Sequence, residues 1–185
     1  MNRRGFTFIE VLFVAGVLVI LTAALLTASV QMRTVFQATD ISAELHEEAR
    51  LAVNTMLLEL RKTSRTQIAI TQDHIEPGTD RIIFYVPADS DEDGVPEISA
   101  GSIVWDSAPV IIRIEEAEGE KQLVMEQGAD KKVLAESAKS INFIDQNIDS
   151  SLYMDELRIV LELEKAGGGE DVYNFVFTSV VNMRN

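Results

Sequence analysis

The chain is 185 residues long, 46% apolar and 25% charged, with no cysteine and a formal net charge of −14. Those values suit one ordinary domain plus a short accessory segment and argue against a disordered, collagen-like or disulfide-stapled chain. The missing cysteines also remove thiol catalysis and cysteine-type metal sites.

Charge is unevenly distributed. Residues 1–30 carry Arg3, Arg4 and Glu10, and residues 31–65 carry five basic and five acidic groups. Residues 66–185 carry nine Lys or Arg against 24 Asp or Glu, so the acidity belongs to the C-terminal part. A region of that sign repels nucleic acid and anionic lipid surfaces, which argues against a nucleic-acid partner.

From Phe6 to Val30, 19 of 25 residues are apolar, and the 22 residues between Glu10 and Arg33 hold no charge. At about 1.5 Å per residue that run makes a helix of roughly 38 Å, enough to span a hydrocarbon core of roughly 30 Å. Arg3 and Arg4 place the N-terminus on the cytoplasmic side of the membrane and the rest of the chain outside. A cleaved secretory signal is the competing reading, with Thr22-Ala23-Ala24 as its cleavage site. Its apolar region should be shorter, and Glu10 inside it would be costly.

The string Arg3-Arg4-Gly5-Phe6-Thr7-Phe8-Ile9-Glu10-Val11-Leu12 resembles the class III signal of type IV pilins and type II secretion pseudopilins: a short basic leader, a glycine, Phe-Thr-x-Ile-Glu, then a long apolar run. The resemblance implies cleavage between Gly5 and Phe6 by the prepilin peptidase, methylation of the Phe6 amine, and retention of the apolar segment as an anchor in the inner membrane. It also implies a role for Glu10 in subunit assembly, pairing with the Phe amine of a neighbour. An unpaired ion in a low-dielectric bundle would be expensive. Main filament subunits of the family usually carry a proline in the second half of this helix. Here all four prolines fall at 77 or later, which points to a minor component. Gly16, the one helix-weakening residue of the span, gives room for a neighbouring helix.

From Gln31 to Arg65 there is no Gly or Pro, and Ile41, Leu45, Ala49, Ala52, Met56 and Leu60 recur on one helical face, widened by Val53 and Leu57. The spacing predicts continuation of the anchor helix, about 60 residues or roughly 90 Å in all, with its stripe packed on the chain's own sheet. Asp40, Glu44, Glu47 and Glu48 lie towards the start of this half and Arg61, Lys62 and Arg65 are expected in its last turns, as the helix dipole favours. After Arg65 the period changes to two. Strands are predicted over 81–86, 110–116, 122–126 and 140–144, followed by Leu157, Ile159, Leu161 and Leu163 alternating with charged residues. Ala166-Gly167-Gly168-Gly169 turns that strand into a partner over 172–183, with Tyr173, Phe175 and Phe177 on one face. Roughly seven strands are expected, and Trp105 is expected in the core.

Further stretches extend the resemblance to PilW-like minor pilins and GspJ-like minor pseudopilins: Glu48-Ala49-Arg50-Leu51-Ala52 with Glu59-Leu60-Arg61, Lys139-Ser140-Ile141-Asn142-Phe143, and the terminal Phe177-Thr178-x-Val180-Val181-x-Met183-Arg184-Asn185. The implied fold is α+β, a pilin-like lollipop. It comprises a leader (1–5), a transmembrane half-helix (6–30), an amphipathic stalk (31–65) and an acidic β-rich head (66–185). The implied role is that of a non-enzymatic subunit helping to start or cap a pilus or pseudopilus. Its partners are the prepilin peptidase, other minor subunits, the filament and the membrane.

One string has the look of a metal loop. In Asp89-Ser90-Asp91-Glu92-Asp93-Gly94-Val95-Pro96-Glu97, carboxylates at relative positions 1, 3 and 5 with glycine at 6 match the first half of a calcium loop. Asp89, Asp91, Asp93 and Glu97 are the candidate Ca²⁺ ligands. Position 12 is Ala100, so the usual bidentate acid is missing, and the competing reading is a solvated acidic loop. A second functional hypothesis follows, a membrane-tethered calcium-binding or adhesion module using the pilin-like start only as an anchor. His46 and His74 are expected at the surface without zinc-ligand company. Gly167 to Gly169 joins strand to strand and does not open a phosphate-cradling helix. Glu115, Glu116, Glu118 and Glu120 surround a hairpin turn and are expected to be solvated there rather than catalytic.

Overall fold

The computed structural model describes residues 8–71, 80–89, 95–117, 119–167 and 171–183. One long helix, α1 (Phe8–Leu60), precedes an antiparallel β-rich region, so the class is α+β. The chain divides into two compact units, residues 1–40 and 41–185.

In the first unit the described part of α1 is helical without interruption. From Phe8 to Arg33 every side chain is exposed, including Phe8, Ile9, Leu12, Phe13 and Leu18. An apolar surface this continuous is unsuited to water. Its hydroxyls bond within the helix: Thr22 Oγ1 donates to the carbonyls of Leu18 and Val19 at 2.9 Å, Thr27 to Ala23 at 3.0 Å and Ser29 to Leu25 at 2.8 Å. A helix that satisfies its own polar groups can be surrounded by hydrocarbon. It is long and apolar enough to cross a membrane.

The second unit begins with the remainder of α1. Leu45, Ala49, Ala52, Val53, Met56 and Leu60 are buried and Ile41 and Leu57 pack against them, as the four-four-three spacing requires. Each of the larger side chains is worth about 1.5–3 kcal/mol in that environment. The helix ends earlier than expected. The Arg61 N–H still donates to Leu57 O, but Lys62 bonds only three residues back, to Glu59 O, and a 3₁₀ turn, Arg65–Gln67, follows. Thr63 is fully buried and the Ser64 and Thr66 hydroxyls lie 2.8 Å apart, the local bonding by which such residues compete with helix. The three cations are therefore not in the last helical turn. Lys62 Nζ pairs with Glu59 at 2.8 Å, and Arg65 pairs with the buried Asp145.

Ten strands are present among the described residues, where the alternation predicted about seven. β1 (Ile68–Thr71), β2 (Arg81–Phe84), β5 (Val110–Ala117), β6 (Glu120–Gln127) and β7 (Asp130–Ala135) form an antiparallel sheet in the order β1-β2-β5-β6-β7. β8 (Ala138–Ile144), β9 (Glu156–Ala166) and β10 (Val172–Asn182) form a second, ordered β10-β9-β8. β3 (Ile98–Ser99) and β4 (Ser102–Ile103) make a two-residue ladder whose turn holds Ala100 at φ 51° and Gly101 at φ 80°. Two successive positive φ angles suit the right-handed twist of a tight hairpin.

Both sheets contribute to one core with the α1 stripe. Ile82, Phe84 and Ile112 come from the first sheet, and Ile141, Phe143, Leu157, Ile159, Leu161 and Leu163 from the second. Tyr173, Phe175 and Phe177 line the same face half-buried, as their alternation predicted. Trp105 is a correction: it is half-buried, forms an isolated bridge with Pro87 and is outside the core cluster. It sits in an irregular segment whose neighbours Val104 and Asp106 donate to the Glu97 and Val86 carbonyls, so no sheet face directs the ring inward.

Candidate functional site

Two places carry the residues that the sequence marks out. The first is the start of α1. Arg3, Arg4, Gly5 and Phe6 lie outside the described residues. Glu10 stands in the first turn of α1 among Ile9, Leu12, Phe13 and Val14, all exposed apolar side chains apart from the carboxylate itself. An acid near a helix N-terminus is favoured by the dipole. A carboxylate bordered by an apolar surface of this length is costly to place in hydrocarbon if that surface enters a membrane. Gly16 has nothing within 4 Å of the position its Cβ would occupy, so no contact within the chain requires a glycine there.

The second place is the loop after Ala88. Asp91 and Asp93 lie outside the described residues, while Asp89 is exposed and Glu97 half-buried. The base of the loop is closed by main-chain bonds, Glu97 N–H to Ala88 O at 3.0 Å and Ala88 N–H to Val104 O at 2.8 Å. That closure brings the two ends of the acidic string together. The string does not continue as a calcium loop, because relative positions 10 and 11 are β3 and position 12, Ala100, is the left-handed turn residue. Among the described residues no group of three or more His, Asp or Glu is placed to hold a metal.

Sequence reasoning missed what surrounds Asp89. A cleft of about 560 Å³ is lined by Asp89 together with Glu59, Arg61, Lys62, Asp106 and Gln127. Asp106 is fixed within it, accepting from Gln127 Nε2 at 3.1 Å and from the Ala108 N–H at 3.0 Å. Arg61 and Lys62 bring cations to the acidic string from 27 or more residues away in sequence. Only the fold makes them neighbours.

Elsewhere in the second unit several bases are matched to acids. Arg113 bonds Glu115 and Glu126 at 3.0 Å, Lys131 bonds Glu115 at 2.8 Å, Lys139 bonds Glu162 and Glu164 at 3.0 and 2.9 Å, and Arg158 bonds Asp149 at 2.6 Å. Glu115 was expected to be solvated at the hairpin tip. It instead sits in a charge network, and bonds from Lys131 and then Arg113 hold its carboxyl below the usual range. Glu118 and His74 lie outside the described residues. His46 is exposed, with its ring 5.2 Å from that of Phe175 in an edge-on arrangement.

A scan against protein-family models, a search of curated proteins and a search of solved structures each find no match to this chain.

Proposed function

We propose that this chain is a minor pilin or minor pseudopilin: a membrane-anchored, non-enzymatic subunit that is cut after Gly5 and helps to start or cap a filament in the inner membrane. The observation that carries the reading is a conjunction. A basic leader ending at Gly5, followed by Phe6, precedes a helix that carries Glu10 in its first turn, whose exposed surface is predominantly apolar through residue 30 and whose later stripe is buried under an acidic β-rich unit. A helix of that division has one half suited to lipid or neighbouring helices and one half that belongs to the folded unit. Intact-mass measurement of the protein from its native membrane tests it. The expected mass lacks residues 1–5 and includes one added methyl group. An unprocessed N-terminus, or one beginning near Ala24, overturns the reading.

A second reading keeps the anchor and makes the outer unit a calcium-binding or adhesion module. The closure of the Ala88–Glu97 loop favours it, since it holds Asp89 near Glu97. Under it, millimolar Ca²⁺ raises the unfolding temperature and the double change Asp89→Asn, Glu97→Gln abolishes the rise. No shift at that concentration removes the metal.

A further inference from the structure

Strand β10 is the edge of its sheet and pairs with β9 on one side over Val172–Asn182 without a register shift. The bonds at its two ends fix which way its backbone points. The Gly167 N–H donates to Asp171 O at 2.8 Å, and the Met183 N–H donates to Asp155 O at 2.8 Å. Hydrogen-bonded pairs in an antiparallel ladder recur every second residue. Residues 173, 175, 177, 179 and 181 therefore direct their N–H and C=O groups to β9. Residues 172, 174, 176, 178, 180 and 182 direct theirs to the open edge, where no main-chain bond to them occurs among the described residues.

Those same six residues have exposed side chains, with Val172, Val176 and Val180 at 54%, 57% and 44%. Natural edge strands are ordinarily blunted by lysine, proline, a bulge or short length. β7, at an edge of the other sheet, has Lys131, Lys132 and a register shift in its pairing. β10 is 11 residues long, regular, and free of charge and proline in a chain of which 25% is charged.

The strand's own sequence identifies what fits it. An antiparallel copy centred on Val176 sets Val176 against Val176, Asn174 against Thr178 and Val172 against Val180 on the exposed face, and Phe175 against Phe177 on the other. Apolar meets apolar and amide meets hydroxyl at each of those edge-facing positions. Centring one residue later would set Val176 against Thr178 and Val180 against Asn174. In the matched register every opposed edge-facing pair is a hydrogen-bonded one, using the groups that β9 leaves open, for about ten main-chain bonds. The neutral strand also lets two acidic units approach without like charges directly opposed.

We propose that β10 is a self-association edge, through which two copies of this chain join antiparallel about Val176 and merge their three-stranded sheets into one. Main-chain bonds supply the affinity of such strand addition and the alternate side chains its register.

The chain has no cysteine, so single cysteines report that register directly. In full-length protein in detergent micelles, Val176→Cys forms a disulfide-linked dimer on mild oxidation, because opposed Cα atoms about 5.5 Å apart are within disulfide reach. Asn174→Cys and Thr178→Cys each give little dimer alone and a strong 174–178 heterodimer when mixed. Val176→Lys, at an exposed position, matches the wild-type unfolding midpoint at dilutions where both are monomeric and loses the dimer in sedimentation at higher concentration. Equal cross-linking at all three positions and at the exposed control Ile148→Cys signifies random collision and overturns the proposal. So does a wild-type chain that sediments as a monomer with no Val176→Cys dimer, or a cross-link from Val176→Cys to a different protein. None of these outcomes depends on N-terminal processing, so this inference and the proposed function fail separately.

Discussion

The Asp80 carboxylate accepts a buried hydrogen bond of 3.0 Å from the Phe143 N–H, while the Asp80 N–H donates to Ile141 O at 3.1 Å. Asp80 immediately precedes β2 of one sheet, and Ile141 and Phe143 lie in β8, the edge of the other. One residue thus joins the two sheets and occupies main-chain groups of an edge that would otherwise be open. Asp80→Ala leaves the Phe143 N–H buried and unsatisfied and is expected to cost about 1.5–3 kcal/mol. Asp80→Asn keeps an acceptor and should cost clearly less. Urea unfolding followed through the single tryptophan, Trp105, measures both. Equal losses for the two variants would contradict this role.

Ala49 and Ala52 are fully buried on α1, so the helix meets the sheets through small side chains. Ala52→Leu forces extra methyl groups into a filled space and is expected to destabilise by about 1–3 kcal/mol. Met56→Ala, on the same face, leaves a cavity and costs about 2–5 kcal/mol. Leu51→Ala, on the open face, stays within about 0.5 kcal/mol of wild type. The same denaturation series separates them, and a large effect at Leu51 would mean that the stripe is misplaced.

Sequence periodicity located what is repetitive and buried on one side. The α1 stripe and the β9–β10 hairpin were legible because Leu157, Ile159, Leu161 and Leu163 alternate strictly and Gly167 follows them into a turn. β7 was not, because at a sheet edge Lys131 and Lys132 fall side by side and break the alternation. β3 and β4 are too short to show a period. The end of α1 was misread because Thr63, Ser64 and Thr66 act through local hydroxyl bonding, which no apolar count registers. In the candidate sites, the place of Glu10 on an apolar helix was readable, whereas the cleft beside Asp89 was not. Its Arg61, Lys62, Asp106 and Gln127 come from separate segments. The bond from the Ser137 N–H to the Glu48 carboxylate, 3.0 Å, is likewise invisible until α1 lies beside the β7–β8 turn.

Stability should form a plateau around neutral pH with a limb on each side. Asp149 is held below its ordinary range by hydrogen bonds from Ser151, then by Arg158, and Glu115 by Lys131, then by Arg113. Groups whose folded pKa is depressed contribute stability that is present above the unfolded pKa and is lost as pH falls through the folded value. Lys139 is raised by its bonds to Glu164 and then Glu162, so its contribution is present below the ordinary lysine range and is lost as pH rises through the folded value. Ser151→Ala with Lys131→Gln should flatten the acid limb, and Lys139→Gln the alkaline one. Lys139 is exposed and Glu115 and Asp149 are only half-buried, so solvent reaches all three and molar salt should shrink both limbs. Urea midpoints across pH at low and high salt provide the check, and limbs that survive the substitutions would assign them to other groups.

Processing and assembly make separable demands on the N-terminal segment if this chain is a minor pilin or pseudopilin. A bulky residue before the scissile bond obstructs an active site that works in the membrane, so Gly5→Leu is expected to accumulate as a membrane-bound precursor retaining residues 1–5. Glu10 lies beyond the bond. Glu10→Gln removes a charge whose burial costs roughly 2.5 to 3.5 kcal/mol on insertion scales, so it should enter the membrane at least as well as wild type and still be cut. What it loses is an ionic partner for a neighbour's N-terminal amine, and with it several-fold recovery in the sheared or co-purified filament fraction. Intact mass and filament yield are read on the same preparations. A Glu10→Gln protein that is cut and assembles as wild type would leave the carboxylate without an assembly role, and an uncut one would place Glu10 in peptidase recognition instead.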